Sequence, residues 1–484
     1  MLESMRRSLV ALSIVAAWAC CPAVTSPAWA DDDDLDLSPY DVVAPDGAWQ
    51  RSIGLTAVPT AYDGAGVTIA VLDTGITRHP DLGSRVIARA DLTPDGDGYD
   101  RYGHGSHIAG AIAGDGAASG GRWRGAAPGA TVVAVKVAGW NGATDVSAVL
   151  AGLEWIAAHH ERYGIRVVNL SYGTDSSQKH LEDPLNHAVQ RLWEQGVLVV
   201  VAAGNRGPGG SKIDKPGDDP FVVTVGAADT KGTAAPGDDE VAPFSSHGPT
   251  AEGIEKPDLL APGVSIVSHR ATGSSVDELR PAARVSERYF KGTGSSQAAA
   301  IVSGIAARMF DANPGLTPSA AKAALVETTS PKLAGRPGAG AGLVDAAAAV
   351  AAAGEDRQVA SPLFARSTGL GSIDSSRGSF KPYTDWKEAA KPEQVSGEVD
   401  ALGERWDAAA WASAPWTEAS WESSPWARHT AVAAGWTDAA PAEPWSGLGW
   451  DEGSWTARSW GDAGVPELDW SARSWGAAGW NGSG

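Results

Sequence analysis

Between residues 67 and 350 the chain alternates short, wholly apolar runs with longer alanine-rich stretches. GVTIAVLD at 66–73, TVVAVKV at 131–137, IRVVNL at 165–170 and GVLVVVA at 196–202 are rich in Val, Ile and Leu. Continuous runs of this kind predict strands covered on both faces, not half-exposed ones. The stretches at 145–164 and 183–196 between them read as helices. Strand, helix and strand in repetition give an α/β class, a mostly parallel sheet with helices on both faces.

Past Gly354 the pattern breaks. Residues 356–400 are polar, with Ser, Gly, Lys and Pro and little periodicity, and read as a linker. From 401 to 484 the chain becomes a tryptophan repeat in steps of five: Trp406, Trp411, Trp416, Trp421, Trp426 and Trp436. After a slip of one it resumes as Trp445, Trp450, Trp455, Trp460, Trp470, Trp475 and Trp480. Five residues turn a helix by about 500° and alternate the faces of a strand, so the period matches neither element. The expectation is a low-complexity, weakly structured tail that stacks on itself or on a partner. Tryptophan surfaces suit sugar rings and protein contacts, so a cell-surface glycan or a protein is the partner such a tail would take. A disordered spacer or a removable segment is the alternative.

Residues 1–30 have the form of a signal peptide, with Arg6 and Arg7 ahead of a short apolar core and Ala28-Trp29-Ala30 as cleavage site. Export to the outside or the surface of the cell is therefore expected. Both cysteines, Cys20 and Cys21, lie in this segment, so the exported chain would hold no disulfide. Lipid attachment at Cys20 is an alternative that Trp18 and Ala19 serve poorly. Residues 31–39 are an acidic segment. The formal net charge of −20 excludes nucleic acid as a partner, because phosphate binding needs the opposite sign. No later run is long and apolar enough for a transmembrane segment.

The candidate chemistry sits where apolar runs end. GTGSSQAAAIVSG at 292–304 places serines where small residues give way to a helix, whose first N–H groups favour negative charge. Serine needs a base, and the base needs an orienting group. Asp73 closes the run at 66–73, His104 opens GHGSHIAG at 103–110, and Asn205 ends VLVVVAAGN at 197–205. Strand ends and helix starts are where open α/β sheets place their sites. The order Asp, His, Ser is one of the known orders of a catalytic triad.

With these motifs, residues 40–355 resemble a subtilisin-like serine protease, a subtilase. HPDL at 79–82, VVNLSYG at 167–173, FSSHGP at 244–249, KPDLLAPG at 256–263, GLTPSAAKAAL at 315–325 and GAGLVDAAAAV at 340–350 extend the likeness. The resemblance implies a secreted, monomeric serine endopeptidase acting on proteins or peptides through an acyl-enzyme. Ser296 would be the nucleophile, with Ser295 the alternative, His104 the general base and then acid, and Asp73 the group that orients it. Asn205 would donate to the oxyanion. Substrate would lie extended between Gly142, Ala143 and Thr144 on one side and Ser171, Tyr172 and Gly173 on the other. Ala203 and Gly204 would line the first specificity pocket, with Asp214 near its floor and a preference for basic residues; the alternative has Asp214 facing solvent.

No cofactor is required for this chemistry, and no metal is assigned to the site. Structural calcium is conceivable at Asp81 or at Asp95, Asp97 and Asp100, although that acidic loop lacks the closing Glu of an EF-hand. The loop after Gly114 lacks the family's Asn-rich calcium pattern, and Gln297 stands where the family has Met. His107 could pair with another ligand as His-x-x-His, but packing is the expected role. There is no room for a folded pro-domain between residue 30 and Asp73. A second function class also stands: a surface-binding protein with a vestigial triad, whose tail does the work.

Overall fold

The computed structural model describes residues 47–207, 213–235, 237–355, 364–379, 381–384, 393–440 and 470–471. The expected signal peptide and acidic segment lie outside these, as do residues 441–469 and 472–484 of the repeat.

Six parallel strands form the body of the main sheet: β1 (Thr68–Asp73), β2 (Val86–Asp91), β3 (Thr131–Lys136), β4 (Ile165–Leu170), β5 (Leu198–Ala202) and β6 (Val223–Asp229). Their order is β2-β3-β1-β4-β5-β6. Short β7 (Glu240–Val241) pairs antiparallel with β6, and β8 (Leu259–Pro262) pairs parallel with it. A separate three-stranded sheet joins β9 (Ile266–His269) antiparallel to β10 (Tyr289–Thr293), with Trp470–Ser471 parallel to β10 on its other side. Every residue of β1 and β5 is buried, as their unbroken apolar runs require. The strand order reverses at β1, so the crevice beyond the carboxyl ends of β1, β4 and β5 is where such a sheet binds ligands.

The helices of the domain body are α1 (Ala48–Ser52), α2 (His104–Ala113), α3 (Val146–Tyr163), α4 (Pro184–Glu194), α5 (Ser275–Leu279), α6 (Ser295–Ala312), α7 (Pro318–Glu327) and α8 (Ala346–Ala353). α2, α6, α7 and α8 cover one face of the sheet; α3 and α4 cover the other. Asp145 starts α3 by accepting the Ser147 N–H at 2.9 Å, and Gly164 ends it at φ 63°. α6 is buried from Ser295 to Phe310. At Gly304 a Cβ would stand 2.5 Å from the Ala126 Cβ, so this helix packs closely only because its residues are small.

The C-terminal segment departs from expectation. Part of the stretch read as a linker, and residues 401–429 of the stretch read as a loose tail, pack onto the outer face of α3 and α4. Ile373, Val395, Ala401, Trp416, Trp421 and Trp426 are buried in the same apolar cluster as those helices. Around α9 (Ile373–Ser376), Arg377 is only 1% exposed because it reaches Asp145. The short strands β11 (Tyr383–Thr384) and β12 (Glu393–Gln394) pair with each other beyond it.

Trp411, Trp416, Trp421 and Trp426 sit on or between three five-residue helices, α10 (Ala408–Ala412), α11 (Glu418–Glu422) and α12 (Pro425–His429), capped by Asp407, Thr417 and Ser424. A break after every helical turn resets the phase, so a step of five returns each ring to the same face. One continuous helix would instead turn the rings by about 500° per step. Trp406, Trp411 and Trp416 contact one another in sequence, with ring centroids 5.1 and 5.2 Å apart and planes tilted by 44° and 56°, and Arg191 of α4 lies over Trp416 at 5.1 Å. β13 (Ala431–Ala434) then pairs antiparallel with β2 and closes that edge of the sheet. Trp416, Trp421 and Trp426 therefore face the domain, not an external glycan.

The packed segment carries a pH dependence. Burial beneath it raises the Glu154 carboxyl of α3 from 4.5 to about 7, which a hydrogen bond from Trp411 and the Arg191 charge offset only in part. The folded chain thus holds a proton that the unfolded chain releases. This stability is fully present below about pH 4.5 and is lost as pH rises to about 7. Glu154→Gln is expected to add roughly 3–3.5 kcal/mol above pH 7 and little at pH 4, at about 1.4 kcal/mol per pKa unit. Urea unfolding of both proteins at the two pH values checks this. An equal gain at both would contradict it.

Candidate active site

Asp73 ends β1 with no exposed surface, and His104 opens α2 at 1% exposure. His104 Nδ1 lies 2.7 Å from Asp73 Oδ1 and 2.9 Å from Oδ2. Burial pushes the Asp73 carboxyl up, while the neighbouring His104 charge and hydrogen bond pull it down. This close approach needs Gly105, where a Cβ would stand 2.1 Å from the Gly75 carbonyl oxygen. Asp100 anchors the start of α2: it accepts from the Thr74 hydroxyl at 2.8 Å, Gly103 N at 2.6 Å and Ser106 N at 2.7 Å. Sequence reasoning had left Asp100 in an acidic loop. Its signal was its place three residues before Gly103, ahead of the helix.

The two candidate serines are distinguished by their hydrogen bonds. Ser295 Oγ accepts Gly204 N at 3.1 Å, and Ser295 N donates to Asn205 Oδ1 at 2.8 Å, so Ser295 ties the end of β5 to α6. Ser296 Oγ is buried and makes no hydrogen bond. Lys136, wholly buried, donates to the carbonyls of Thr74 at 2.9 Å and Ala138 at 2.7 Å, holding the end of β1 to the loop that follows β3.

Both predicted substrate edges are tied down by hydrogen bonds. Gly142 N donates to the Gly139 carbonyl at 2.9 Å, and Ala143 exchanges with Gly139 N and Asn141 Oδ1, each at 3.0 Å. Ser171 Oγ accepts from Asn169 Nδ2 and donates to the Ser296 carbonyl at 3.4 Å, stitching the second edge to α6. Asp214 does not face solvent. It is 1% exposed, wedged where a Cβ on Gly204 would meet its Oδ2 at 2.4 Å and one on Gly173 would meet its Cβ at 2.6 Å. Arg206 pairs with it at 2.5 Å, yet burial still holds the carboxyl well above its usual range.

The residues considered for calcium are committed elsewhere. Asp95 Oδ2 pairs with Lys136 at 3.1 Å, Asp97 pairs with Arg101, and Asp100 is spent on α2. Asp81 accepts from Ala118 N at 2.7 Å and the Tyr289 hydroxyl at 2.6 Å, with imidazoles for neighbours instead of oxygens. A cation that asks for six to eight oxygens does not fit these surroundings. His107 is buried, with Nε2 at 3.1 and 3.2 Å from the carbonyls of Ile266 and Phe290 and Nδ1 at 3.4 Å from Gln297 Nε2. It packs β9 and β10 against α2, and Gln297 in place of Met completes its contacts.

Comparison with known proteins agrees with this architecture. The Subtilase family profile matches residues 64–371. Serine protease AprX of Bacillus subtilis is 44% identical over 272 residues, 55% of this chain and 62% of its own. Subtilisin Savinase of Lederbergia lenta is 36% identical over 270 residues, 54% of this chain and 84% of its own. M-protease of Shouchella clausii is 36% identical over 270 residues, 54% of this chain and 60% of its own. The match thus spans less than two thirds of AprX and M-protease. On the fold, the strand-end constellation and these matches, the chain belongs to the subtilase family.

Proposed function

We propose that the protein is an exported serine endopeptidase that cleaves protein or peptide chains through an acyl-enzyme. The observation that carries this is His104 Nδ1 held between both oxygens of a buried Asp73, which fixes Nε2 as the basic nitrogen. Ser296 Oγ attacks the scissile carbonyl carbon as its proton passes to His104 Nε2. The backbone N–H of Ser296 and the Asn205 amide donate to the resulting oxyanion. His104 returns the proton to the leaving amine, the C–N bond breaks, and an ester to Ser296 remains. Water, deprotonated by His104, then releases the acid and restores the serine. Asp73 stabilises the imidazolium throughout without taking its proton.

Arg6, Arg7 and the Ala-Trp-Ala site support export. Among the described residues no helix is long and apolar enough to cross a membrane. Substrate would add a strand between the two edges, pairing with Gly142 O and the Thr144 backbone on one side and with 171–173 on the other. Fluorophosphonate labelling of the purified protein, read by intact mass, tests the proposal. One adduct on wild type and none on Ser296→Ala is expected. A folded wild type that takes no adduct would favour a vestigial triad.

Asp214 sets the expected specificity. A basic side chain entering the pocket must compete with Arg206 for Asp214, so the preference for Arg or Lys over Phe should be slight in wild type. In Arg206→Ser it should grow by roughly tenfold, one charge-assisted hydrogen bond's worth. Peptides differing only at the residue before the scissile bond check this. Equal rates for Arg and Phe in both proteins would refute it.

A further inference from the structure

We propose that His79, Asp81 and His269 form a binding site for a transition-metal dication of the zinc class, apart from the catalytic centre. The three side chains are 7%, 0% and 2% exposed. One ligand atom from each lies within 4.8 Å of the others: His79 Nδ1, Asp81 Oδ2 and His269 Nε2. The two nitrogens stand 3.8 and 3.3 Å from that oxygen. Donors around a tetrahedral zinc, with bonds of about 2.0–2.2 Å, stand roughly 3.3 Å apart. The spacing is therefore that of a ligand set before the ion draws it in.

The surroundings have the form of an outer shell. His79 Nε2 lies 3.1 Å from the Arg288 carbonyl, and a proton donated there leaves the lone pair on Nδ1, which accepts Asp81 N at 3.2 Å and must give up that contact to the ion. The Tyr289 hydroxyl and Ala118 N hold the two Asp81 oxygens. His269 Nε2 now faces Asp81, while its buried Nδ1 has no hydrogen-bond partner. The imidazole proton can move to Nδ1 without breaking a bond there, exposing the Nε2 lone pair to the ion. The rings are stacked at 3.6 Å and 15°, and binding requires them to splay so that their lone pairs converge.

Two imidazoles with one carboxylate select zinc, cobalt or nickel over calcium, which takes oxygen ligands. The ion would join the loop after β1 to β9 and to Tyr289, which is paired with His269 across the β9–β10 hairpin. That hairpin leads into α6 and Ser296. The site would thus clamp the segment that carries the nucleophile.

The test uses the full-length protein, stripped with a chelator, dialysed and titrated with Co2+, Zn2+ or Ca2+. One equivalent of Co2+ with the visible absorption of four-coordinate cobalt, displaced by Zn2+, is expected. Saturating Zn2+ should raise Tm by about 5 °C, and Ca2+ should do neither. His79→Asn and, separately, His269→Asn should abolish the cobalt absorption; Asp81 is left intact because it anchors Tyr289 and Ala118. A wild type that takes up no Co2+ and shows no Zn2+ shift overturns the proposal, as do variants that bind like wild type. A shift with Ca2+ alone also overturns it. If one variant fails to fold, the wild-type titration and the other variant decide.

Discussion

Replacing Asp73 by asparagine is expected to lower kcat by about four orders of magnitude while leaving the fold intact, the loss known for a triad aspartate in a serine protease. The reason is directional. His104 Nδ1 has both Asp73 oxygens within 2.9 Å, so it must carry the proton and leave Nε2 basic. An asparagine NH2 facing Nδ1 would reverse the tautomer and put the proton on the nitrogen that should accept one. Ser296→Ala should be at least as damaging, and the double variant no worse than the deeper single, because the residues act as one unit. Asn205→Ala should cost about 100- to 1,000-fold, a magnitude measured for an oxyanion donor in subtilisin and not obtained from this geometry. Steady-state kinetics on one peptide, with circular dichroism as the fold control, checks the set. Multiplicative losses in the Asp73/Ser296 double variant would show that the two do not cooperate.

Arg377→Met is expected to destabilise the protein by about 3–5 kcal/mol, since it leaves a buried carboxylate without its cation. The guanidinium lies 2.7 and 3.3 Å from the two Asp145 oxygens and donates to the carbonyls of Gly397 at 3.0 Å and Val399 at 2.5 Å. Asp145 meanwhile caps α3 and accepts the Ser147 hydroxyl. Adding Asp145→Asn should recover part of the loss, because an amide oxygen still caps the helix and carries no buried charge. Chemical denaturation gives both values, provided the slope with denaturant is unchanged. A loss under 1 kcal/mol, or a double variant that sums the two singles, would mean the pair is not the anchor. The same segment supports a substrate edge, through the Thr174 hydroxyl on the Ser376 carbonyl at 2.7 Å. KM should therefore rise in Arg377→Met even where the protein is folded.

The catalytic constellation was legible in the sequence because each polar residue interrupts an apolar or small-residue run at an element's end. The strand–helix alternation put Asp73, Asn205 and the serine pair at element ends, and the family resemblance chose Ser296 over Ser295. What could not be read depends on distant partners. Arg377 looked like a linker residue because Asp145 stands 232 positions away. The tryptophan period looked irregular because caps at Asp407, Thr417 and Ser424 restart the helix at every turn. Asp214 had two readings because its burial rests on the missing side chains of Gly173 and Gly204, a feature of three-dimensional packing. Asp95, Asp97 and Asp100 looked like one acidic loop, yet each is consumed by a different neighbour.

β13 also sets the order in which the molecule can be finished. Its residues Ala431–Ala434 pair with Ala88–Asp91 near the start of the domain, so the outer edge of the sheet waits for a strand made long after every catalytic residue. Contacts between such distant parts of a chain form slowly, and an unpaired edge meanwhile attracts other strands. A chain cut short after Ser296 would hold the whole triad and still expose that edge. Closure of this edge is therefore tied to synthesis of the chain through residue 434.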